Sequence, residues 1–227
     1  MKQRLEPGLT RYQRLGAALI VSNLLSAVLF IVRVQQSQNI RYWFLLWNLV
    51  LAWVPLGLVL VLRERLRLTR WLTWQNVTLS ILWIGFLPNS FYLVSDLVHL
   101  HSTGEVSLIF DSVLFMSFIF NGFISGFASL YLMHVQLIPR FRREYVHGVV
   151  AAVLLLCSFA IYLGRDLRWN TWDILVNPAG ILFDVSERVI NPLTHSEVFS
   201  TTALFFLLLG SIYVVAWQFI AALRNDS

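Results

Sequence analysis

The chain has 227 residues, of which 58% are hydrophobic and 13% are charged, and its mean hydropathy is +0.70. These values exclude an ordinary water-soluble domain and indicate an integral membrane protein, because no soluble core of this length needs so much apolar surface. The formal net charge is +5, but no soluble basic domain accompanies it, so we expect the lipid bilayer as partner and no nucleic acid.

Six apolar segments have the roughly 17 to 25 residues that cross the hydrocarbon core of a bilayer. The predicted spans are residues 16–34, 43–62, 77–98, 108–133, 146–164 and 199–223. Because backbone polar groups in lipid must be paired within the segment, these spans are predicted to be helices. The fold class is therefore all-α, a polytopic membrane protein with one transmembrane domain over residues 1–227.

Most of the 17 lysines and arginines lie before span 1, between spans 2 and 3, between spans 4 and 5, and after span 6. Connections rich in these residues stay in the cytoplasm. Both termini are therefore predicted to be cytoplasmic. The connections after spans 1, 3 and 5 are predicted to lie outside, including the long outer loop 165–198.

The segment FLPNSFYLVSDLVHLHS, residues 86–102, places polar side chains in the outer part of span 3. Pro88 is expected to bend or loosen the helix, since proline removes a backbone donor. Four polar residues follow at intervals of three, four and three and share one stripe of a helix: Asn89, Tyr92, Asp96 and His99. This polar stripe is predicted to face the bundle interior or an outward-opening cavity, because lipid would penalise it.

A second polar segment, YLGRDLRWNTWDILVNP at residues 162–178, follows span 5. If the helix continues past Gly164, one of its faces carries a row of polar residues: Tyr162, Asp166, Asn170, Asp173 and Asn177. Arg165 and Arg168 take the remaining surface, where arginine can stack on the neighbouring tryptophans, pair with the acids or hold an anion. The alternative interpretation of this surface is anchoring at the membrane interface.

Span 4 begins with Asp111 and continues with small residues that include Gly122 and Gly126 in a Gly-x-x-x-Gly pattern. Such a face permits close approach of another helix, and Asp111 shares it, so Asp111 is predicted to point into the bundle. A carboxylate favoured by the dipole at a helix N-terminus is an equally good interpretation. Asn48 and Arg33, at the outer ends of spans 2 and 1, are further candidates for the same region.

The outer loop contains its own helix signals. Asn177 and Pro178 read as an N-cap followed by proline at the first helical position, and the segment closes at residues 191–192. Apolar residues then alternate with charged ones at helical spacing. We predict a short amphipathic helix on the outer membrane surface that covers the polar site, the alternative being a simple connector on the headgroups.

Three segments carry a family resemblance: WNLVLAWVP (47–55), FLPNSFYLVSDLVHL (86–100) and YLGRDLRWNTWDILVNP (162–178). They resemble the signature segments of a bacterial family of predicted multi-pass membrane proteins, the domain of unknown function 1361 family. The resemblance covers nearly the whole chain, although related chains often have threonine where this one has Ser95. It implies a multi-pass protein of the bacterial plasma (inner) membrane and no particular activity.

The sequence lacks the Gly-x-Ser-x-Gly and His-Glu-x-x-His motifs, a phosphate-binding glycine-rich loop and a dinucleotide fingerprint. The enzyme hypothesis that remains uses Asp96 or Asp166 as general base and His99 as its partner. The substrate would be an anionic lipid headgroup or an envelope intermediate at the outer ends of helices 3, 4 and 5. Its candidate binding residues are Asn89, Tyr92, Asp111, Arg165, Arg168, Asn170 and Asp173.

Three alternatives stay open on the sequence. Asp96 and His99 are candidate ligands of a divalent metal, although chance and structural hydrogen bonding outweigh that interpretation. No other cofactor is indicated. The protein is alternatively a transporter or receptor for a small polar solute, or a scaffold whose polar cluster is structural and whose partner is another membrane protein.

Overall fold

The computed structural model describes residues 11–167, 169, 173–191 and 195–225, and the regular structure in these ranges is helical. The helices in chain order are α1 (Arg11–Ser37), α2 (Phe44–Arg65), α3 (Trp74–Tyr92), α4 (Leu108–Leu137), α5 (Arg143–Asp166), α6 (Asp173–Val176), α7 (Pro178–Ile190) and α8 (Ser196–Asn225). A 3-10 helix, Leu93–His99, extends α3. The prediction of an all-α fold is confirmed.

Six helices of the described part are long and apolar enough to cross a membrane: α1, α2, α3 with its 3-10 extension, α4, α5 and α8. They correspond one to one with the six predicted spans, so the chain is a multi-pass membrane protein. We call the outer end the end of the bundle at which α1 stops and α2 starts. That this end faces away from the cytoplasm stays a prediction from the basic residues.

Helices α3 and α4 lie in close contact at two glycines of α4. A Cβ atom on Gly122 would lie 2.5 Å from Leu93 Cδ1 and 2.6 Å from the Ser90 carbonyl oxygen, and one on Gly126 would lie 2.7 Å from Ser90 Cβ. Only glycine leaves room for α3 at these two positions. The small-residue face predicted on span 4 is therefore the surface that receives α3.

Apolar side chains of α3 fill this contact. Leu87 and Phe91 are fully buried, and Trp83, 2% exposed, donates its indole N–H to Ser129 Oγ at 2.7 Å. The Ser90 hydroxyl donates to the Ala52 carbonyl oxygen of α2 at 2.9 Å. One face of α3 is thus committed to α4 and α2, and the polar stripe is turned away from it.

The peripheral helix α1 is held by amide side chains in the middle of the bundle. Asn121 of α4 donates to Ser26 Oγ at 2.9 Å, and Asn23 donates to Asn121 Oδ1 at 3.1 Å. Trp53 of α2 donates to Asn23 Oδ1 at 3.0 Å. Since only 11% of the most apolar stretch of α1 is buried, hydrogen bonds between helices replace much of its apolar packing.

The polar row at residues 162–177 required helix 5 to continue past Gly164 and through residues 165–177. Over the described residues of this range, the structure shows no such continuous helix. Helix α5 ends at Asp166, and the backbone N–H groups of Leu167 and Trp169 both donate to the Leu163 carbonyl oxygen at 3.2 Å. A Cβ atom on Gly164 would lie 3.3 Å from the Trp169 carbonyl oxygen. The chain folds back closely over this glycine, which removes the alignment of Asp166 with Asp173 that a continuous helix would create.

The short helix predicted in the outer loop is present as α7. Asn177 Oδ1 accepts from the Gly180 backbone N–H at 3.1 Å, and Pro178 occupies the first turn, as the capping pattern predicts. Its position on the membrane surface stays a prediction.

The close approach of α3 and α4 predicts an asymmetric effect of alanine at two glycines. Gly122→Ala should destabilise the protein by about 1–3 kcal/mol, because the backbone oxygen of Ser90 cannot move aside cheaply. Gly57→Ala should cause no such loss, since a Cβ atom there meets nothing within 4 Å. Unfolding in detergent measures both, and equal stability of the two variants would contradict the described packing.

Topology is testable with single cysteines, because the one native cysteine, Cys157, is 1% exposed. A membrane-impermeant maleimide added to intact cells should label Ser102→Cys, in the connection after span 3, and should not label Leu68→Cys, in the connection after span 2. Leu68 is 90% exposed, so access to reagent and not burial decides the result. Both variants should react after the membrane is permeabilised. The reverse pattern in intact cells would invert the predicted orientation.

Candidate functional site

A cavity of about 360 Å³ lies at the outer end of the bundle, over the face of α3 that is turned away from α4. Helices α2 and α5 form its walls. Its described lining residues are Phe44, Trp47, Asn48 and Leu51 of α2, Gly85, Pro88, Asn89, Tyr92, Asp96 and His99 of α3 and its extension, Ala160, Leu163 and Gly164 of α5, and Trp169 and Ile181.

All four residues of the polar stripe line this cavity. The buried apolar face of α3 packs against α4, so the stripe must point the other way. The change to a 3-10 helix keeps Asp96 and His99 together, because side chains three residues apart eclipse in a helix with three residues per turn. Pro88 lies inside α3 and itself lines the cavity.

Asp96 is the most buried polar group of the cavity, with 4% of its surface exposed. Its Oδ2 accepts a hydrogen bond from Asn48 Nδ2 at 2.9 Å, which ties the 3-10 helix to α2. A buried carboxylate needs such a partner, since an unpaired charge out of water is costly. The Arg165 guanidinium at the end of α5 also interacts electrostatically with Asp96 and His99.

Tyr92 joins the floor of the cavity to its α5 wall. Its hydroxyl donates to the Gly164 carbonyl oxygen at 3.3 Å, and a Cβ atom on Gly164 would lie 2.9 Å from Tyr92 Cε2. Glycine at this position therefore makes room for the tyrosine ring. On the opposite wall, the His99 ring packs against the edge of Phe44, with 5.2 Å between ring centroids.

The outer side of the cavity is bordered by Trp169 and by Ile181 of α7. Trp169 Nε1 donates to Asp184 Oδ2 at 2.8 Å, and Arg188 Nε donates to the Tyr162 hydroxyl at 3.3 Å. These two bonds attach α7 to the end of α5. The sequence indicates only that Asp184 and Arg188 lie on the polar face of an amphipathic helix, so the bond of Asp184 to Trp169 and that of Arg188 to Tyr162 are missed.

Asp111 points into the bundle, as predicted, but it does not line the cavity. It is 1% exposed and its Oδ1 accepts from Arg33 Nε at 3.3 Å, while Arg33 Nη2 pairs with Glu105 at 3.1 Å. The Arg33 guanidinium also lies 4.5 Å from the centre of the Tyr42 ring. Burial, followed by the negative charge of Asp111, raises the pKa of the Tyr42 hydroxyl. This Arg33 cluster joins the outer ends of α1 and α4.

The other candidates contribute from beside the cavity or lie elsewhere. Asp166 is exposed and Asp173 is half-buried, and neither lines the cavity. Arg165 is half-buried and acts on the cavity through its charge. Arg168 and Asn170 lie outside the described residues. Sequence reasoning missed Phe44, Trp47 and Trp169, because an aromatic residue near the membrane surface gives the same signal whether it anchors the protein or lines a cavity.

Within the described ranges, no group of three or more histidine, cysteine, aspartate or glutamate side chains is placed to hold a metal ion. Asp96 and His99 share the cavity, but no third ligand of these types from the described residues joins them. The carboxylates at the outer end are instead hydrogen-bonded to protein side chains, Asp96 to Asn48 and Asp111 to Arg33.

The Arg33 cluster predicts a large stability effect outside the cavity. Arg33→Met leaves the Asp111 carboxylate buried without its cation, which should cost about 3–5 kcal/mol of unfolding free energy. Asp111→Asn in the same chain should recover part of that loss. Arg67→Met is the control, since its 3.0 Å pair with Glu64 is 62% exposed on both sides and should contribute about 0–1 kcal/mol. Unfolding in detergent decides, and similar losses for both single variants would contradict a buried ion pair.

A family model described as "Protein of unknown function (DUF1361)" matches residues 47–214. The match includes every described lining residue of the cavity except Phe44, and it includes all three segments that carry the resemblance. No curated protein and no solved structure matches the chain.

Proposed function

The chain belongs to the DUF1361 family of proteins of unknown function, and we propose that it binds the headgroup of a phosphate-bearing membrane amphiphile in the cavity between α2, α3 and α5. The amphiphile is a lipid or a lipid-linked envelope intermediate. The sequence hypothesis puts this headgroup at the outer ends of helices 3, 4 and 5, whereas the described lining of the cavity comes from α2, α3, α5 and the segment after α5.

The observation that carries this proposal is the change in polarity along the cavity. Its outer part contains Asn48, Asp96 and His99, whose side chains can form hydrogen bonds or carry charge, together with Phe44, Trp169 and Ile181. Its inner part is lined by residues without polar side chains: Leu51, Gly85 and Ala160. A ligand that matches both parts is polar at one end and apolar at the other, which is the description of a membrane amphiphile.

The depth of the two parts agrees with their polarity. Gly85 lies seven residues before the end of α3, which is roughly 10 Å along a helix at 1.5 Å per residue. In a bilayer whose hydrocarbon core is about 30 Å thick, the apolar part lies at the level of acyl chains and the polar part near the headgroups. A solute carrier would need a polar path beyond Gly85, so the apolar inner part favours headgroup binding over transport.

Arg165 supplies the charge for the phosphate. It lies at the last turn of α5, next to the cavity wall formed by Leu163 and Gly164, and it interacts electrostatically with Asp96, His99 and Tyr92. The guanidinium group presents several N–H donors in a planar arrangement that matches the geometry of phosphate oxygens. Any proton transfer to a bound headgroup would use Asp96 or His99, the titratable stripe residues that line the cavity together.

Filling the inner part of the cavity tests the proposal. Ala160→Trp should remove the bound amphiphile, because the indole occupies the space of an acyl chain. Leu156→Trp is the matched control, one turn earlier on the same helix at a position 54% exposed toward lipid. Mass spectrometry of lipids extracted from the purified variants should show one class enriched with the wild type and with Leu156→Trp, and lost with Ala160→Trp. Identical lipid content in all three proteins would overturn the proposal.

A further inference from the structure

Resting on that proposed function, we infer that the part of the headgroup that enters the cavity carries an ammonium group. The ligand class is thus a zwitterionic aminophospholipid or a related amine-bearing phosphate amphiphile. The inference depends on the charge, the aromatic walls and the hydrogen-bond directions of the cavity.

The charge of the lining is negative. Among its described residues, Asp96 is the acid and no lysine or arginine is present. Asp96 is held in place by a hydrogen bond from Asn48. Because the Asn48 amide is neutral, it does not cancel the negative charge of the ionised carboxylate. A cation that enters the cavity gains an ion pair in a partly dehydrated site, whereas a second anion would be repelled there.

Aromatic residues line the same cavity as this carboxylate. They belong to the α2 wall, the floor and the outer border of the cavity: Phe44, Trp47, Tyr92 and Trp169. The faces of such rings attract ammonium groups, and a cage of rings is a known way to bind them. The ring faces do not attract a phosphate or a carboxylate, so they favour the cation that Asp96 also favours.

Hydrogen-bond directions lead to the same ligand. Asn48 donates to Asp96, the Tyr92 hydroxyl donates to the Gly164 carbonyl oxygen, and the Trp169 indole donates to Asp184. These donors serve acceptors of the protein itself. An ionised carboxylate accepts and cannot donate, so a group that approaches Asp96 must bring its own donors, as a primary ammonium does.

The negative charge of Asp96 and the positive charge of Arg165 lie at different places around the cavity, which sets the orientation of a zwitterionic headgroup. Asp96 lies in the cavity lining, and Arg165 lies next to the lining at the end of α5. A headgroup with an ammonium at Asp96 and a phosphate toward Arg165 pairs with both. A phosphoglycerol headgroup satisfies Arg165 but offers Asp96 no cation, so the site should discriminate between these two headgroups.

The experiment compares phosphatidylethanolamine and phosphatidylglycerol with identical acyl chains, added to the delipidated full-length protein in detergent and counted by native mass spectrometry. Wild type should bind the ethanolamine lipid about tenfold more tightly, a ratio of the size that ion pairing and cation–π contacts produce. Asp96→Asn should bring the ratio close to one and retain phosphatidylglycerol binding. Glu187→Gln, which removes an exposed negative charge from α7, should keep the wild-type ratio.

Trp47→Leu provides a second variant in case Asp96→Asn fails to fold. Trp47 is 47% exposed, so its loss should spare the fold while it opens the aromatic wall and lowers the ratio severalfold. Equal binding of both lipids by wild type, abolished by Ala160→Trp, would overturn the ammonium inference and leave headgroup binding standing. Binding of neither lipid, or binding that survives Ala160→Trp, would overturn the proposed function and this inference with it.

Discussion

The outer end of the molecule depends on the close approach of α3 to α4. At Gly122 and Gly126 the two helices lie so close together that a Cβ atom would clash with Ser90 and its neighbours on α3. This contact commits the face of α3 with Leu87 and Phe91 to the bundle interior. Because residues on opposite faces of one helix cannot both point inward, the polar stripe must face away from α4, into the cavity. The glycines of one helix thereby decide which side chains of another face the cavity.

An unpaired charge is costly in a medium without water. The charged groups at the outer end are therefore stabilised by partners, in two different ways. In the Arg33 cluster, the arginine is fully buried and pairs with Asp111 and Glu105, which suits a clamp between helices. In the cavity, Asp96 is held by a neutral amide and faces space bordered by aromatic rings. In the first arrangement the arginine pairs with carboxylates of the protein itself, whereas in the second the carboxylate lines a cavity, where the proposed ammonium group would meet it.

The segment after α5 gives the cavity its outer border. Gly164 allows the chain to fold back over the end of α5 and also makes room for Tyr92, so one residue shapes both the turn and the cavity wall. The bond between Trp169 and Asp184 then sets the indole beside Ile181 of α7. An amphiphile that enters between α2 and α5 would meet this border at its polar end, where the proposed headgroup lies.

The sequence by itself determined the six spans, the small-residue face of α4, the capped helix α7 and the polar stripe, because each follows from local periodicity, hydropathy or capping chemistry within one segment. Tertiary structure alone decided which acids share a site. Asp96 and Asp111 give the same signal, a carboxylate near the outer end of a span, yet one meets Asn48 in a cavity and the other meets Arg33 in a clamp. The fold-back at Gly164 likewise removed the alignment of Asp166 with Asp173. Partner choice depends on helix order and rotation across the bundle, and the periodicity of a single helix carries no information about either.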